Sequence, residues 1–123
     1  MSRKVVFAAL LAGAFALTTS AVDAHPRLRM ALPAAGALLK VAPREIRMKF
    51  SEGLIVQFTR IELKDGRGRR VPTGKAMLNP GDNSRFVVPI KARLGAGTYN
   101  VAWSAVSVDT HRVSGRYTFK VVR

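Results

Sequence analysis

The chain contains no cysteine among its 123 residues. A disulfide, a thiolate metal ligand and a cysteine nucleophile are therefore all excluded. Carboxylates are also scarce, with 7 Asp and Glu against 21 Lys and Arg, which gives a formal net charge of +14. The chain has only 2 histidines, and it shows neither an internal repeat nor a low-complexity linker. This scarcity makes the position of each carboxylate and each imidazole informative.

An apolar run near the N-terminus is typical of a secretion signal. Arg3 and Lys4 precede an apolar stretch over residues 5–17, and Val22-Asp23-Ala24 offers the small and aliphatic residues that a signal peptidase accepts. The stretch is shorter than the roughly 20 residues of a transmembrane helix, and no second such run follows. We expect residues 1–24 to be a cleaved signal peptide and residues 25–123 to form one periplasmic domain that does not span a membrane. An uncleaved N-terminal anchor is the alternative.

The strongly basic composition favours anionic partners, such as nucleic acid or an anionic membrane surface. Export argues against nucleic acid as the partner. Two interpretations stay open: a solvated basic face that is attracted to an anionic envelope, and a dedicated binding site.

Short strand-like runs separated by proline and glycine predict an all-β sandwich. In the run from Glu45 to Phe50, apolar and charged residues alternate, so that Ile46, Met48 and Phe50 share one face. Similar faces occur around residues 59–63, 85–90, 97–105 and 115–122. Tyr99 follows a Leu-x-x-Gly turn, a position that resembles the tyrosine corner of immunoglobulin-like sandwiches.

The two histidines and the nearby carboxylates suggest a metal site. After cleavage, His25 would offer an imidazole and an α-amine to one metal ion, while Pro26 has no backbone N–H that could be deprotonated as a ligand. Asp109 and His111 are two residues apart and would project to the same side of an extended chain. Glu52 directly follows a predicted strand. Such a nitrogen and oxygen donor set favours Cu(II) over Zn(II).

Each of these features also has an ordinary structural explanation. An N-terminal histidine can arise by accident of cleavage, an Asp-x-His sequence is often a solvated turn, and Glu52 could be a surface carboxylate. Spacing in the sequence does not show that the three segments meet. From the residues alone, a metal site and its absence are about equally supported.

The order of these residues resembles the CopC-type periplasmic copper-resistance proteins over essentially all of residues 25–123. The most specific match is Ser107-Val108-Asp109-Thr110-His111-Arg112-Val113-Ser114-Gly115, which is similar to the family's Ser-x-Asp-x-His-x-Val-Ser-Gly block. Further matches are His25-Pro26, Phe50-Ser51-Glu52 and the segment Leu94 to Tyr99.

The resemblance implies a Greek-key, immunoglobulin-like β-sandwich that binds one Cu(II) per chain through His25, Glu52, Asp109 and His111. It also implies a monomeric copper carrier or buffer, not an enzyme, with a CopD-type membrane copper transporter or a cuproenzyme as partner. Some members of the family carry a methionine-rich Cu(I) site. The methionines of this domain, Met30, Met48 and Met77, are scattered, so we expect no high-affinity Cu(I) site.

Two rival interpretations remain. One is a metal-free immunoglobulin-like interaction module, for which copper would leave thermal stability unchanged. The other is a copper monooxygenase with an N-terminal histidine brace, which would oxidise a polysaccharide in the presence of a reductant.

Overall fold

The computed structural model describes residue 13 and residues 26–123. The predicted signal peptide and His25 therefore lie outside the described residues, apart from Gly13. The described part is built from nine strands and one short 3-10 turn at Val56–Phe58. The strands are β1 (Leu28–Leu32), β2 (Leu38–Leu39), β3 (Glu45–Phe50), β4 (Arg60–Lys64), β5 (Arg70–Val71), β6 (Met77–Asn79), β7 (Asp82–Pro89), β8 (Gly97–Val106) and β9 (Arg112–Val121). Among the described residues, no helix has the length and apolarity that a membrane crossing requires.

The strands form two sheets, which confirms the predicted β-sandwich. One sheet has four strands in the order β1-β3-β7-β6, and the other has five in the order β2-β9-β8-β4-β5. Neighbouring strands are antiparallel, except that the two-residue β2 runs parallel to the end of β9. The long β8 and β9 pair along their whole length and form the centre of the larger sheet.

The core lies between the inner faces of the two sheets and follows the predicted alternation. Ile46, Met48 and Phe50 are buried on β3, while Phe86 and Val88 are buried on β7. The facing sheet contributes a second buried set: Leu63, Tyr99, Val101, Ala105, Phe119 and Val121. Side chains that alternate between core and solvent at a period of two residues are what a half-buried strand requires.

The tyrosine corner is present as predicted. The hydroxyl of Tyr99 donates a hydrogen bond to the carbonyl oxygen of Gly95 at 2.7 Å. The Tyr99 ring also stacks on Phe119, with ring centroids 5.4 Å apart. The contact fixes the loop before β8 against the strand that follows it.

Three short features differ from the sequence-based assignment. The strands β5 and β6 fall in a segment that looked like a basic loop followed by irregular chain. Strand β9 begins at Arg112, three residues before the predicted start at Gly115, because Arg112 pairs with Val106 through the backbone. Backbone pairing does not depend on an apolar side chain, so alternation cannot reveal such positions.

The strand directions place the connecting loops at two opposite ends of the sandwich. We call the end that holds loops 51–59, 80–81 and 107–111 the histidine end. It is held together by an isolated bridge between Leu54 and Ser107 and by a hydrogen bond from the Leu54 N–H to the Asn83 carbonyl at 2.9 Å. We call the end that holds loops 40–44, 65–69 and 90–96 the basic end. There the Ile90 N–H donates to the Arg44 carbonyl at 2.8 Å.

Candidate metal centre

The loop between β8 and β9 carries both Asp109 and His111. It is a tight turn, closed by a hydrogen bond from the Thr110 N–H to the Ser107 carbonyl at 2.8 Å. Thr110 has a φ of 71°, in the left-handed region that β-branched residues rarely adopt. The Ser107 N–H donates to the His111 carbonyl at 2.9 Å, which returns the chain to the start of β9.

The two side chains are close together, although for a different reason than the sequence suggested. Oδ1 of Asp109 lies 3.3 Å from Nδ1 of His111. The prediction relied on an extended chain, in which residues two apart share a side. In the structure the turn at Thr110 brings the two side chains together instead.

Ser107 organises this loop. Its side chain is fully buried, and its hydroxyl donates a hydrogen bond to Oδ1 of Asp109. The Ser107 hydroxyl oxygen also accepts the backbone N–H of His111 at 3.2 Å. One hydroxyl therefore fixes both the carboxylate and the backbone of the histidine. The sequence placed Ser107 within a family motif but gave it no role.

The hydrogen bond from Ser107 lowers the pKa of Asp109 below its ordinary value, and the adjacent His111 lowers it further. The carboxylate consequently stays negatively charged to a lower pH than an isolated aspartate would. A charged carboxylate beside an imidazole can either bind a metal ion directly or hold the ring in one orientation.

The segment that carries Glu52 lies directly beside this loop. The Val108 N–H donates to the Gly53 carbonyl at 2.9 Å, and the Ile55 N–H donates to the Val106 carbonyl at 2.8 Å. Gly53 itself packs tightly, since a Cβ at this position would lie 2.5 Å from the side chain of Asn83. The backbone of the Glu52 segment is therefore held against the loop of Asp109 and His111.

The first described residues of the domain are anchored at the same end. Pro26 is fully buried. The Arg27 N–H donates to the Ser51 hydroxyl at 2.8 Å, and the Ser51 N–H donates back to the Arg27 carbonyl at 2.8 Å. These paired hydrogen bonds fix the chain after His25 next to the residue that precedes Glu52. The sequence contained Ser51 in a matched motif without indicating this contact.

An aromatic group packs beneath these loops. The ring of Trp103 meets Phe50 edge to face, with centroids 5.1 Å apart. It also covers Gly115, where a Cβ would lie 2.5 Å from Cζ2 of Trp103. Trp103 is partly buried and packs against the core cluster.

The four residues predicted as metal ligands are thus brought together only in part. Asp109 and His111 are in contact, and the backbone of the Glu52 segment is hydrogen-bonded to their loop. Within the part of the chain that the structure describes, no three His, Cys, Asp or Glu side chains form a group able to hold a metal ion. His25, the fourth predicted ligand, lies outside the described residues.

The methionines of the domain lie apart from one another. Met48 is buried in the core, whereas Met30 and Met77 are exposed. Met30 belongs to β1 and Met77 to β6, which are the opposite edges of the four-stranded sheet. Two intervening strands separate the two edges by about 14 Å.

The fold and the histidine end together define a small β-sandwich with a serine-held Asp and His pair at one end. A family model described as "CopC domain" matches residues 28–122. The chain belongs to the CopC family.

Two curated relatives and one solved structure illustrate this membership. The chain is 38% identical over 105 residues to "Protein YobA" of Escherichia coli strain K12, covering 85% of each chain. It is 38% identical over 110 residues to "Copper resistance protein C" of Pseudomonas syringae pv. tomato, covering 85% of this chain and 86% of that one. It superposes on the crystal structure of PcoC, a methionine-rich copper resistance protein from Escherichia coli, with a TM-score of 0.70 and 36% identity, covering 80% of this chain and all of that one.

Proposed function

We propose that this protein is a periplasmic Cu(II) carrier or buffer that binds one copper ion per chain at the histidine end. The observation that carries the proposal is the contact of Asp109 with His111, which Ser107 holds in place. The relatives named as copper resistance proteins support the choice of metal.

The proposed ligands are His25, Glu52, Asp109 and His111. The described donors, one imidazole and two carboxylates, contain no sulfur and suit a tetragonal Cu(II) site when a second histidine joins them. His25 would add an imidazole and an α-amine. Anchoring of Arg27 at Ser51 supports its participation, because the chain directly after His25 then starts beside Glu52.

Two roles are compatible with Asp109, and they can be separated. As a ligand it gives an oxygen to copper; as a positioning residue it holds Nδ1 of His111 and leaves Nε2 for the metal. Asp109→Asn keeps the shape and an acceptor oxygen but removes the charge. Loss of an equatorial oxygen from the copper spectrum would mark a ligand, whereas a weaker site with an unchanged spectrum would mark a positioning residue.

The deciding experiment concerns the free amine of His25. One Gly placed before His25 keeps every side chain but turns its amine into an amide. We expect Cu(II) affinity to fall by more than tenfold, that is by more than about 1.4 kcal/mol. The control is the same domain with a Gly added after Arg123, which should bind like the parent protein. Equal affinity and identical spectra in the two extended proteins would refute a site that uses the amine.

The proposal requires the mature chain to begin at His25, after a signal peptide at residues 1–24. The intact mass of the exported protein tests this requirement, and a mass that retains Ala24 would remove the amine ligand. We further propose that the carrier is a monomer and exchanges copper with a CopD-type membrane transporter or a cuproenzyme.

A binding role is also distinguishable from its rivals. We expect Cu(II) to raise the thermal unfolding temperature, because a ligand that binds only the folded state stabilises it. We expect Zn(II) to bind much more weakly. We also propose that the protein is not an enzyme, since four protein ligands leave copper little room for a reactive oxygen species. Reductant-dependent oxidation of a polysaccharide by the copper-loaded protein would contradict that statement.

A further inference from the structure

The charged loops of the sandwich are sorted between its two ends. Loops 51–59, 80–81 and 107–111 of the histidine end contain two carboxylates and no Lys or Arg. Loops 40–44, 65–69 and 90–96 of the basic end contain six cations and one carboxylate, Asp65. The six are Lys40, Arg44, Arg67, Arg69, Lys91 and Arg93, and all are exposed.

These six cations differ from several others on the surface. Arg47, Arg70 and Arg85 form ion pairs with Glu45, Glu62 and Asp82. In the described part of the chain, none of the six cations at the basic end forms an ion pair. Asp65 forms no ion pair with them; its Oδ1 accepts the backbone N–H groups of Arg67 and Arg69 within its own turn, and one carboxylate offsets only one of six positive charges.

Exposed aliphatic side chains accompany the cations. Val41 lies in loop 40–44 and is 81% exposed, and Leu38, on the short strand β2 directly before this loop, is 68% exposed. Between loops 40–44 and 90–94 lies an open cleft of about 620 Å³. Apolar Val41, Ile90 and Leu94 line it together with the cations Arg44, Lys91 and Arg93.

We propose that the basic end is a docking surface for a bilayer that contains anionic phospholipid. Unpaired cations contributed by loops of both sheets match a layer of headgroup phosphates, and protruding Val41 and Leu38 can enter the interface. Docking through this end leaves the histidine end facing away from the membrane, which suits copper exchange with a cuproenzyme better than with a membrane transporter.

The absence of cysteine allows a direct test. A single cysteine replaces either Val41 at the basic end or Val108 at the histidine end, and each carries an environment-sensitive fluorophore. Both positions are exposed, at 81% and 58%. The metal-free proteins are mixed with vesicles of phosphatidylcholine, with or without phosphatidylglycerol. We expect a blue shift only for the label at position 41, and only with phosphatidylglycerol.

Charge reversal tests the role of the cations. Each basic side chain near an anionic membrane strengthens binding by about fivefold, so the Lys91→Glu, Arg93→Glu double variant should bind vesicles at least about tenfold more weakly. The matched control is Arg112→Glu with Arg116→Glu on β9, which changes the net charge equally but away from the basic end. Circular dichroism confirms that each variant is folded.

The outcomes separate this proposal from its rivals. Equal weakening in both double variants would mean that only net charge matters and would overturn the docking surface. A shift at position 108 would overturn it as well, because the bilayer would then contact the histidine end. No binding of the parent protein to phosphatidylglycerol vesicles would also overturn it and leave an acidic protein as the partner class. Because no copper is present, failure here leaves the proposed copper site untouched.

Discussion

Replacement of Ser107 by alanine tests whether the candidate metal centre depends on its supporting hydroxyl. The side chain is fully buried, and its oxygen serves both Asp109 and the backbone N–H of His111. We expect the loss of two hydrogen bonds to reduce the free energy of unfolding by about 1–2 kcal/mol. In a domain of this size, that corresponds to a fall in melting temperature of about 4–16 °C.

The same replacement should also weaken copper binding. Removal of a group that orients metal ligands weakens metal binding by about 10- to 100-fold. The pKa of Asp109 should also rise towards its ordinary value, since the Ser107 hydrogen bond is the largest cause of its depression. Protons would then compete with copper at a higher pH, and the pH at which half the copper is released should move upward.

The assay is a chelator-competition titration of Ser107→Ala over a range of pH. Ser114→Ala, an exposed serine on β9, provides the matched control and should behave as the parent protein. A folded Ser107→Ala variant with unchanged affinity and an unchanged release pH would refute the argument that this hydroxyl organises the site.

The remaining predictions concern single residues. His111→Ala should lower Cu(II) affinity by at least about tenfold in a titration, while a large loss of apo stability would instead mark a structural histidine. Tyr117→Phe should leave the free energy of unfolding in urea unchanged or raise it by up to about 1 kcal/mol, because the buried hydroxyl of Tyr117 has no hydrogen-bond partner within the described residues. Tyr99→Phe should instead lower this free energy by about 1 kcal/mol, because it removes the hydrogen bond to Gly95. Burial raises the pKa of Tyr117 to about 12, whereas in the unfolded chain its pKa is about 10. The free energy of unfolding of the parent protein should therefore fall as the pH rises from about 10 to about 12, and Tyr117→Phe should lose this dependence. Gly115→Ala should destabilise by about 1–3 kcal/mol in the same urea assay, because its Cβ would meet Trp103, and parent-like stability would contradict this packing.

Local patterns in the sequence were sufficient to predict the main strands. The alternation over Ile46, Met48 and Phe50 reflects a buried face, and the turn before Tyr99 reflects a local hydrogen bond to Gly95. Both depend on residues close in the chain. The short β6 was missed because three residues give alternation too little length to be recognised.

The candidate site was harder to predict from the sequence, because it depends on contacts between segments that are distant in the chain. Nothing in the local sequence pairs Gly53 with Val108 or Arg27 with Ser51. The proximity of Asp109 to His111 was predicted, yet its cause is the left-handed backbone at Thr110. A threonine in the sequence does not indicate such a backbone conformation. His25 stays a prediction because it lies outside the described residues.

The sorting of charge between the two ends has a kinetic consequence for metal uptake. Strand β8 runs 10 residues from the basic end to the histidine end, a length of about 33 Å. At physiological ionic strength, a charge is screened beyond about 8 Å, so the cations of the basic end scarcely affect a Cu(II) ion that approaches the histidine end. At about 0.01 M salt the screening length grows to about 30 Å, and the distant cations then repel the ion. The association rate of Cu(II) should therefore rise as salt is added from this low level, opposite to the usual behaviour of a negatively charged metal site.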